Sequence, residues 1–160
     1  MNDVNERSII MDKIITKAKV ISLLRSHGFG VLATYGGEYP YTSLISLHVS
    51  ADARRILFPT MRRTQKYTNI LYDARVSVLF DNRDSATDQE HSYALTVMGK
   101  ARETEKKMLP KLRWRFLSRH PGLSDFLAQP QTCLVTIAPV RIVLVRKFQD
   151  VQYFDWARNA

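Results

Sequence analysis

The sequence predicts a mainly β domain, about six or seven antiparallel strands closed into a small barrel with helices at its periphery. Three observations carry this. Short apolar runs with β-branched and aromatic residues alternate with turn residues from Gly30 onward. The first three runs are joined by connections too short for anything but antiparallel neighbours. The helical segments do not alternate regularly with strands, which argues against a doubly wound parallel sheet. At 160 residues the chain is expected to form a single domain over 1–160, with an N-terminal helix at about 11–26 and the barrel at about 30–155.

Taken in order, Ile14, Ala18, Ile21 and Leu24 fall at helical spacing, Asp12 lies near the helix start, and His27-Gly28 ends it. Val31 to Tyr35 is the first strand and Gly36-Gly37 its turn. The returning strand runs from Tyr41 to Val49, with Pro40 at its head, where a missing N–H is tolerated. Ser50 to Ala53 turns the chain into a third strand, Arg55 to Pro59. Thr64 fits an N-cap, followed by a helix with Tyr67, Ile70 and Leu71 on its apolar face. Arg75 to Phe80 is a fourth strand. The polar connection from Asp81 to His91 is longer than most in a compact domain. Tyr93 to Glu103 is a fifth strand, with Gly99 marking a bulge. Residues 105–118 form an amphipathic basic helix with Met108, Leu112, Phe116 and Leu117 on one side. His120-Pro121-Gly122 breaks it, and a short helix follows from Leu123 to Ala128. Cys133 to Ile137 and Arg141 to Val145 are β-rich runs separated by Pro139, and the tail from Phe148 to Trp156 is a last strand.

Composition narrows the function classes. The formal net charge is +9 and the sequence pI about 9.9, which suits an anionic partner. Arg54, Arg55, Arg62, Arg63 and Lys66 lie in a stretch without a single acid, and a second basic stretch runs from Lys106 to Arg119. No apolar run approaches the roughly 20 residues of a membrane span. The opening MNDVNERSIIMDK mixes acids with bases before any apolar stretch, so no secretory signal is expected and the cytoplasm is the expected location. Cys133 is the only cysteine, so neither an intramolecular disulfide nor a thiolate metal cluster is expected, and His48, His91 and His120 are not spaced as a metal triad. Nucleic acid and membrane are not expected partners: the basic helix is more simply a surface helix, and the chain lacks the aromatic-and-basic interleaving of an RNA-binding sheet motif.

Two segments carry chemistry. Phe58-Pro59-Thr60-Met61-Arg62-Arg63-Thr64-Gln65-Lys66 joins a strand end to a helix start. The first helix amides have no partner within the helix and the helix dipole adds positive charge there. With the hydroxyls of Thr60 and Thr64 and the charged donors of Arg62, Arg63 and Lys66, the segment suits a phosphate group. A solvated basic turn with a threonine cap is the plainer alternative. Thr42, Ser43, Leu44 and Ile45 form a strand that suits hydrogen bonding to a planar ring, or a strand with one face in solvent. Asn82 and Arg83 follow the fourth strand and suit either a ligand contact or a solvated turn. Gly28-Phe29-Gly30 fits a loose dinucleotide fingerprint, but it sits after a helix and before a strand, the reverse of what that fingerprint needs.

The order of these segments resembles the pyridoxamine phosphate oxidase-like family of FMN-binding split barrels. The resemblance runs from about Ile21 to Phe154, through GFGVLATYGGEYPYTSLISL, ILFPTMRRTQKYTNILYDARVSVLFDNRD, ALTVMGKARE, FLSRHPGLSDFL and IAPVRIVLVRKFQDVQYF. It implies a six-stranded antiparallel split barrel, a homodimer, and one FMN in each of two clefts at the subunit interface. The ring-contacting strand then falls on Thr42, Ser43, Leu44 and Ile45. The phosphate turn falls on Phe58 to Lys66, with Thr60, Thr64 and Lys66 as the firmest matches. Where the oxidase proper opens this helix with Arg-Lys, the pair here is Gln65-Lys66, and Arg62 or Arg63 stands in for the missing charge. Ala94 stands where the oxidase has a ring-contacting glutamine, for which Asn82 and Arg83 are candidate substitutes. The ending YFDWARNA has no counterpart of the oxidase's substrate-binding arginine and histidine, so vitamin B6 phosphate oxidation itself is not expected. The expectation is an FMN-dependent oxidoreductase with no catalytic residue assigned. The alternatives are a haem-binding or haem-degrading member using His120, and a non-catalytic basic binding module.

Overall fold

The computed structural model describes residues 15–82 and 91–157. Thr16 caps α1 (Lys17–Ser26): its hydroxyl accepts from the Lys19 amide at 3.3 Å. The helix buries Val20 and Leu24, one turn apart, so the stripe is rotated from the expected one and Ala18 faces solvent. Asp12 and Ile14 lie outside the described residues. Period-two alternation then builds β1 (Phe29–Tyr35), β2 (Pro40–Ser46), a two-residue β3 (His48–Val49) and β4 (Ile56–Met61). After α2 (Gln65–Tyr72) come β5 (Arg75–Asp81) and β6 (Tyr93–Glu103). A helical excursion follows: α3 (Leu109–Arg119), a 3-10 turn (Pro121–Leu123) and α4 (Ser124–Ala128). β7 (Thr132–Arg146) and β8 (Asp150–Asp155) close the fold.

All eight strands form one antiparallel sheet in the order β2-β1-β5-β6-β7-β4-β3, with β8 on β7. The sheet curls until β2 packs against β4 with no ladder between them, which leaves the barrel split along that seam. The count exceeds six for two reasons. The second strand breaks at Leu47 into β2 and β3, and the tail pairs as β8. The runs on either side of Pro139 are one 15-residue strand, whose first half pairs with β4 and second half with β8. Pro139 falls between the two partners, at the gap in that edge's ladder. On the other edge Gly99 faces Pro139 across the expected bulge, between Met98 and Gly99. A Cβ on Gly99 would come 2.5 Å from the Ala138 carbonyl oxygen.

The interior face collects Leu32, Phe58, Val78, Phe80, Leu95, Ile137 and Leu144, all sealed from solvent. A smaller cluster of Leu57, Leu112, Phe116, Leu127 and Leu134 seats α3 and α4 on the outside of β4 and β7. On α2 the expected apolar face is corrected. Ile70 is buried and Tyr67 half-buried, but Leu71 faces solvent and Asn69 is buried instead.

Candidate functional site

The chain leaves β4 at Met61 and starts α2 at Gln65, with Thr64 at the N-cap position. The expected cap does not form. The Thr64 hydroxyl turns back to donate to the Met61 carbonyl at 2.8 Å and lies 2.9 Å from the Thr60 hydroxyl. No side chain therefore covers the first amides of α2, those of Gln65 and Lys66, which by position have no acceptor within the helix. Thr60 is buried, Arg63 is exposed and Lys66 half-buried beside this uncovered helix start.

Two of the expected phosphate donors are engaged elsewhere. The Arg62 guanidinium forks onto the Glu103 carboxylate, with Nε donating at 3.1 Å, and also reaches the Pro130 carbonyl at 3.2 Å. Glu103 further accepts from the Tyr67 hydroxyl at 2.7 Å. Gln65 donates to Asn69 Oδ1 at 2.7 Å, and Asn69 Nδ2 donates to Thr34 Oγ1 at 3.0 Å, which ties the helix start to β1. This chain runs close to the backbone at Gly36, where any Cβ would overlap the Asn69 amide. Neither Glu103 nor Asn69 stands out in the sequence. Glu103 is 41 residues from Arg62, and the fold alone makes them partners.

The Arg62 guanidinium holds the Glu103 carboxyl below its usual value of about 4.5, burial working against it and the Tyr67 hydroxyl with it. Because the folded-state value is depressed, this cluster stabilises the fold fully above about pH 4.5 and loses its contribution as pH falls through the lowered value. Urea midpoints followed from pH 7 to pH 3 are expected to fall less steeply in Glu103→Gln than in the parent protein. Parallel curves would remove Glu103 from the acid transition.

On β2 the alternation splits the expected ring-contacting residues. Ser43 and Ile45 face the interior, across from Leu32 and Gly30 of β1, while Thr42 and Leu44 face outward. Ser43 Oγ is buried with no hydrogen-bond partner among the described residues, a state that costs roughly 1–3 kcal/mol unless a ligand or water satisfies it. Both β4 and α2 pack against β2, so the two segments singled out in the sequence meet in space. Phe58 and Ile45 belong to the core and Pro59 is half-buried, so Phe58 and Ile45 shape the site from beneath.

Asn82 is spent on its own loop: Nδ2 donates to the His91 carbonyl and Oδ1 accepts from the Tyr93 amide, both at 2.8 Å. Both ends of its amide are thus engaged within the loop, which is the turn alternative to a ring contact. Arg83 lies outside the described residues. Of the histidines, His120 holds the Leu47 carbonyl through Nε2 at 2.8 Å and stacks on Phe116 at 4.7 Å, so one of its ring nitrogens is already engaged within the fold. Burial first, then the charges of Arg119 and Arg115, hold His48 below its ordinary value. The Cys133 thiol is pushed up to about 11 by burial and stays protonated. Among the described residues no helix is long and apolar enough to cross a membrane.

The family profile described as pyridoxamine 5'-phosphate oxidase matches residues 16–146, most of the chain. The chain belongs to this family. The pyridoxamine 5'-phosphate oxidase match begins at the α1 cap and ends with β7, so it includes β2, the β4–α2 turn and the bulge. Solved structures agree on the split-barrel fold. A haem-binding protein from Mycobacterium smegmatis superposes with a TM-score of 0.78 at 16% identity, over 89% of this chain and 60% of that one. The chain thus spans less than two thirds of that relative. A pyridoxamine 5'-phosphate oxidase described as putative, from Listeria innocua, gives 0.63 at 19% identity over 79% and 95%. HutZ, a haem storage protein from Vibrio cholerae, gives 0.66 at 14% identity over 79% and 91%. At these identities the likeness is one of fold. Comparison with curated proteins returned no match.

Proposed function

We propose that the protein is an FMN-binding flavoprotein acting as a homodimeric oxidoreductase. The observation that carries this reading is the helix start left uncovered beside Lys66. The Thr60–Thr64 hydroxyl pair, the amides of Gln65 and Lys66, and the side chains of Lys66 and Arg63 form a donor set suited to a phosphate dianion. The unpartnered Ser43 hydroxyl on the adjoining strand fits the edge of a planar ring. FMN would supply hydride or electron transfer when bound. The protein's part is to fix the phosphate, present the ring edge to β2 and exclude water.

The dimer rests on the outer sheet face. Leu44, Val31, Leu79, Thr96, Val143 and Tyr153 are register partners in sequence across β2, β1, β5, β6, β7 and β8. An antiparallel sheet whose second face meets water normally alternates to polar residues there. Here an almost wholly apolar row crosses six strands, with Leu44 and Tyr153 each 71% exposed. A second copy of the chain is the natural cover, and it would place two sites near one interface.

One titration separates the readings. Freshly purified protein is expected to show flavin absorption, or to quench FMN fluorescence on titration, and to sediment as a dimer. A haem-induced Soret band with no flavin uptake would move the assignment to the haem-binding side of the fold. A colourless protein that binds neither would leave a basic binding module.

A further inference from the structure

We infer that the cavity between the β6–α3 connection, α3 and the start of β7 binds a free tetrahedral oxyanion of the size of inorganic phosphate or sulfate, held by the Thr132 hydroxyl and the side chains of Arg113 and Lys106. The cavity measures about 140 Å3, well below the roughly 300–1,000 Å3 of sites that take a drug-sized molecule, so neither a flavin nor a haem fits it. Its lining residues and their chain neighbours all lie within the described segments. None of the donors proposed for the flavin phosphate lines it, and none of the apolar row on the outer sheet face does. Arg62 is the one lining residue from the β4–α2 turn, and its guanidinium is already committed to Glu103 and the Pro130 carbonyl. The site therefore goes beyond the flavin reading and stands without it.

The decisive group is Thr132. The residue is only 9% exposed and lines the cavity, yet its hydroxyl has no hydrogen-bond partner among the described residues. Buried polar groups are almost always paired, so an orphan at a cavity wall calls for a bound partner. The other polar groups of this wall are satisfied: the Thr104 and Thr136 hydroxyls meet at 2.7 Å, and the Cys133 thiol donates to the Thr60 carbonyl at 3.5 Å. Charge then names the partner. The lining carries Arg62, Lys106 and Arg113 against the single carboxylate of Glu103. Glu103 is spent on Arg62 and on the Tyr67 hydroxyl. Glu105, the next acid in the chain, is taken by Arg102 at 3.4 Å and Lys107 at 3.1 Å. Lys106, which is exposed, and Arg113, which is half-buried, are left without a carboxylate among the described residues. Leu109, Leu127 and Leu134 complete the lining, and apolar walls of this kind lower the local dielectric and strengthen the pull of both cations on an anion. An ammonium, a guanidinium and a hydroxyl are a set of donors, and a tetrahedral oxyanion turns an acceptor oxygen to each of them.

The probe is inorganic phosphate, titrated calorimetrically at constant ionic strength into the protein as purified and again after saturation with FMN. The site predicts saturable binding in both states, with a Kd of about 1 mM or tighter. Phenyl phosphate, whose ring exceeds the cavity, is expected to bind at least ~10-fold more weakly. Thr132→Val keeps the shape and removes the hydroxyl. It is expected to weaken phosphate by about 5–10-fold, the scale of one hydrogen bond, and to melt no lower than the parent in phosphate-free buffer, because it removes an unsatisfied group. Arg113→Gln is expected to weaken phosphate by at least ~10-fold, whereas Arg115→Gln, which takes the same charge from the same helix without lining the cavity, stays within about 2-fold. No saturable binding up to about 10 mM, an unchanged Thr132→Val, or equal losses in Arg113→Gln and Arg115→Gln overturns the proposal. So does loss of phosphate binding on saturation with FMN, which would put the anion on the phosphate turn. Equal affinity for phenyl phosphate overturns it too, since the ligand would then be an ester rather than the free ion.

Discussion

Replacing Lys66 and Arg63 together by alanine is expected to weaken FMN uptake about 100-fold. Each removes a charge-assisted contact to the phosphate, worth roughly 1.5–3 kcal/mol. The lower end applies because Arg63 is exposed and Lys66 only half-buried, and two such losses sum to about 3 kcal/mol. Neither side chain makes a salt bridge among the described residues, so the double variant should melt close to the parent, which separates a binding defect from a folding one. Arg62→Ala is the informative contrast. Sequence alone ranks it with the phosphate ligands, but its guanidinium is committed to Glu103 and Pro130. Its loss should lower stability while leaving FMN affinity within a few-fold. Titration of FMN fluorescence against each variant, beside a thermal melt, reads both quantities. Parent-like affinity in Lys66→Ala/Arg63→Ala would mean that the uncovered start of α2 is not where the phosphate sits.

The contrast between Arg62 and Lys66 shows what the chain order conveys and what it withholds. Hydrophobic alternation is local, so β1, β4, β5 and β6 were legible to within a residue or two, and Pro40 at a strand head followed from its missing N–H. The strand–turn–helix at Thr60–Lys66 was legible for the same reason: a helix start advertises its donors in a few consecutive residues. Whether a given donor is available depends on partners from distant strands. Glu103 arrives from β6 to take Arg62, and Asn69 reaches back to Thr34 to take Gln65. Asn82 looked like a ligand contact because an amide at a strand end has that reach, yet its two ends are consumed by His91 and Tyr93. His27 Nε2 and the Tyr93 hydroxyl meet at 2.9 Å with no sequence signal, since they belong to a helix terminus and a strand start 66 residues apart. In the sequence β7 presents itself as two β-rich runs, because proline normally ends a strand. It persists here because its second edge changes partner, from β4 to β8, at that residue.

Gly99→Ala is expected to destabilise the protein by about 3 kcal/mol, at the upper end for an added methyl in a packed interior. The added Cβ would sit 2.5 Å from the Ala138 carbonyl oxygen and 2.9 Å from Ile137 Cγ2. The first of these is backbone and does not rotate away, so β6 and β7 must separate at the bulge. That ladder is the longest in the sheet, and β7 in turn carries β4 and β8, so a local displacement spreads to the seam against which β2 and the phosphate turn are set. The expected fall in melting temperature is roughly 6–12 °C for a chain of this size. Gly122→Ala supplies the control. Nothing lies within 4 Å of its Cβ position and its backbone is not in the left-handed region, so that change should be neutral or stabilise by up to about 1 kcal/mol through the unfolded chain. FMN affinity in Gly99→Ala, measured below its melting range, then reports on the seam itself. An intact barrel with lowered affinity ties the bulge to the site, whereas a Gly99→Ala melt matching Gly122→Ala would show that the strands tolerate the methyl and that the close approach at Gly99 does not shape the fold.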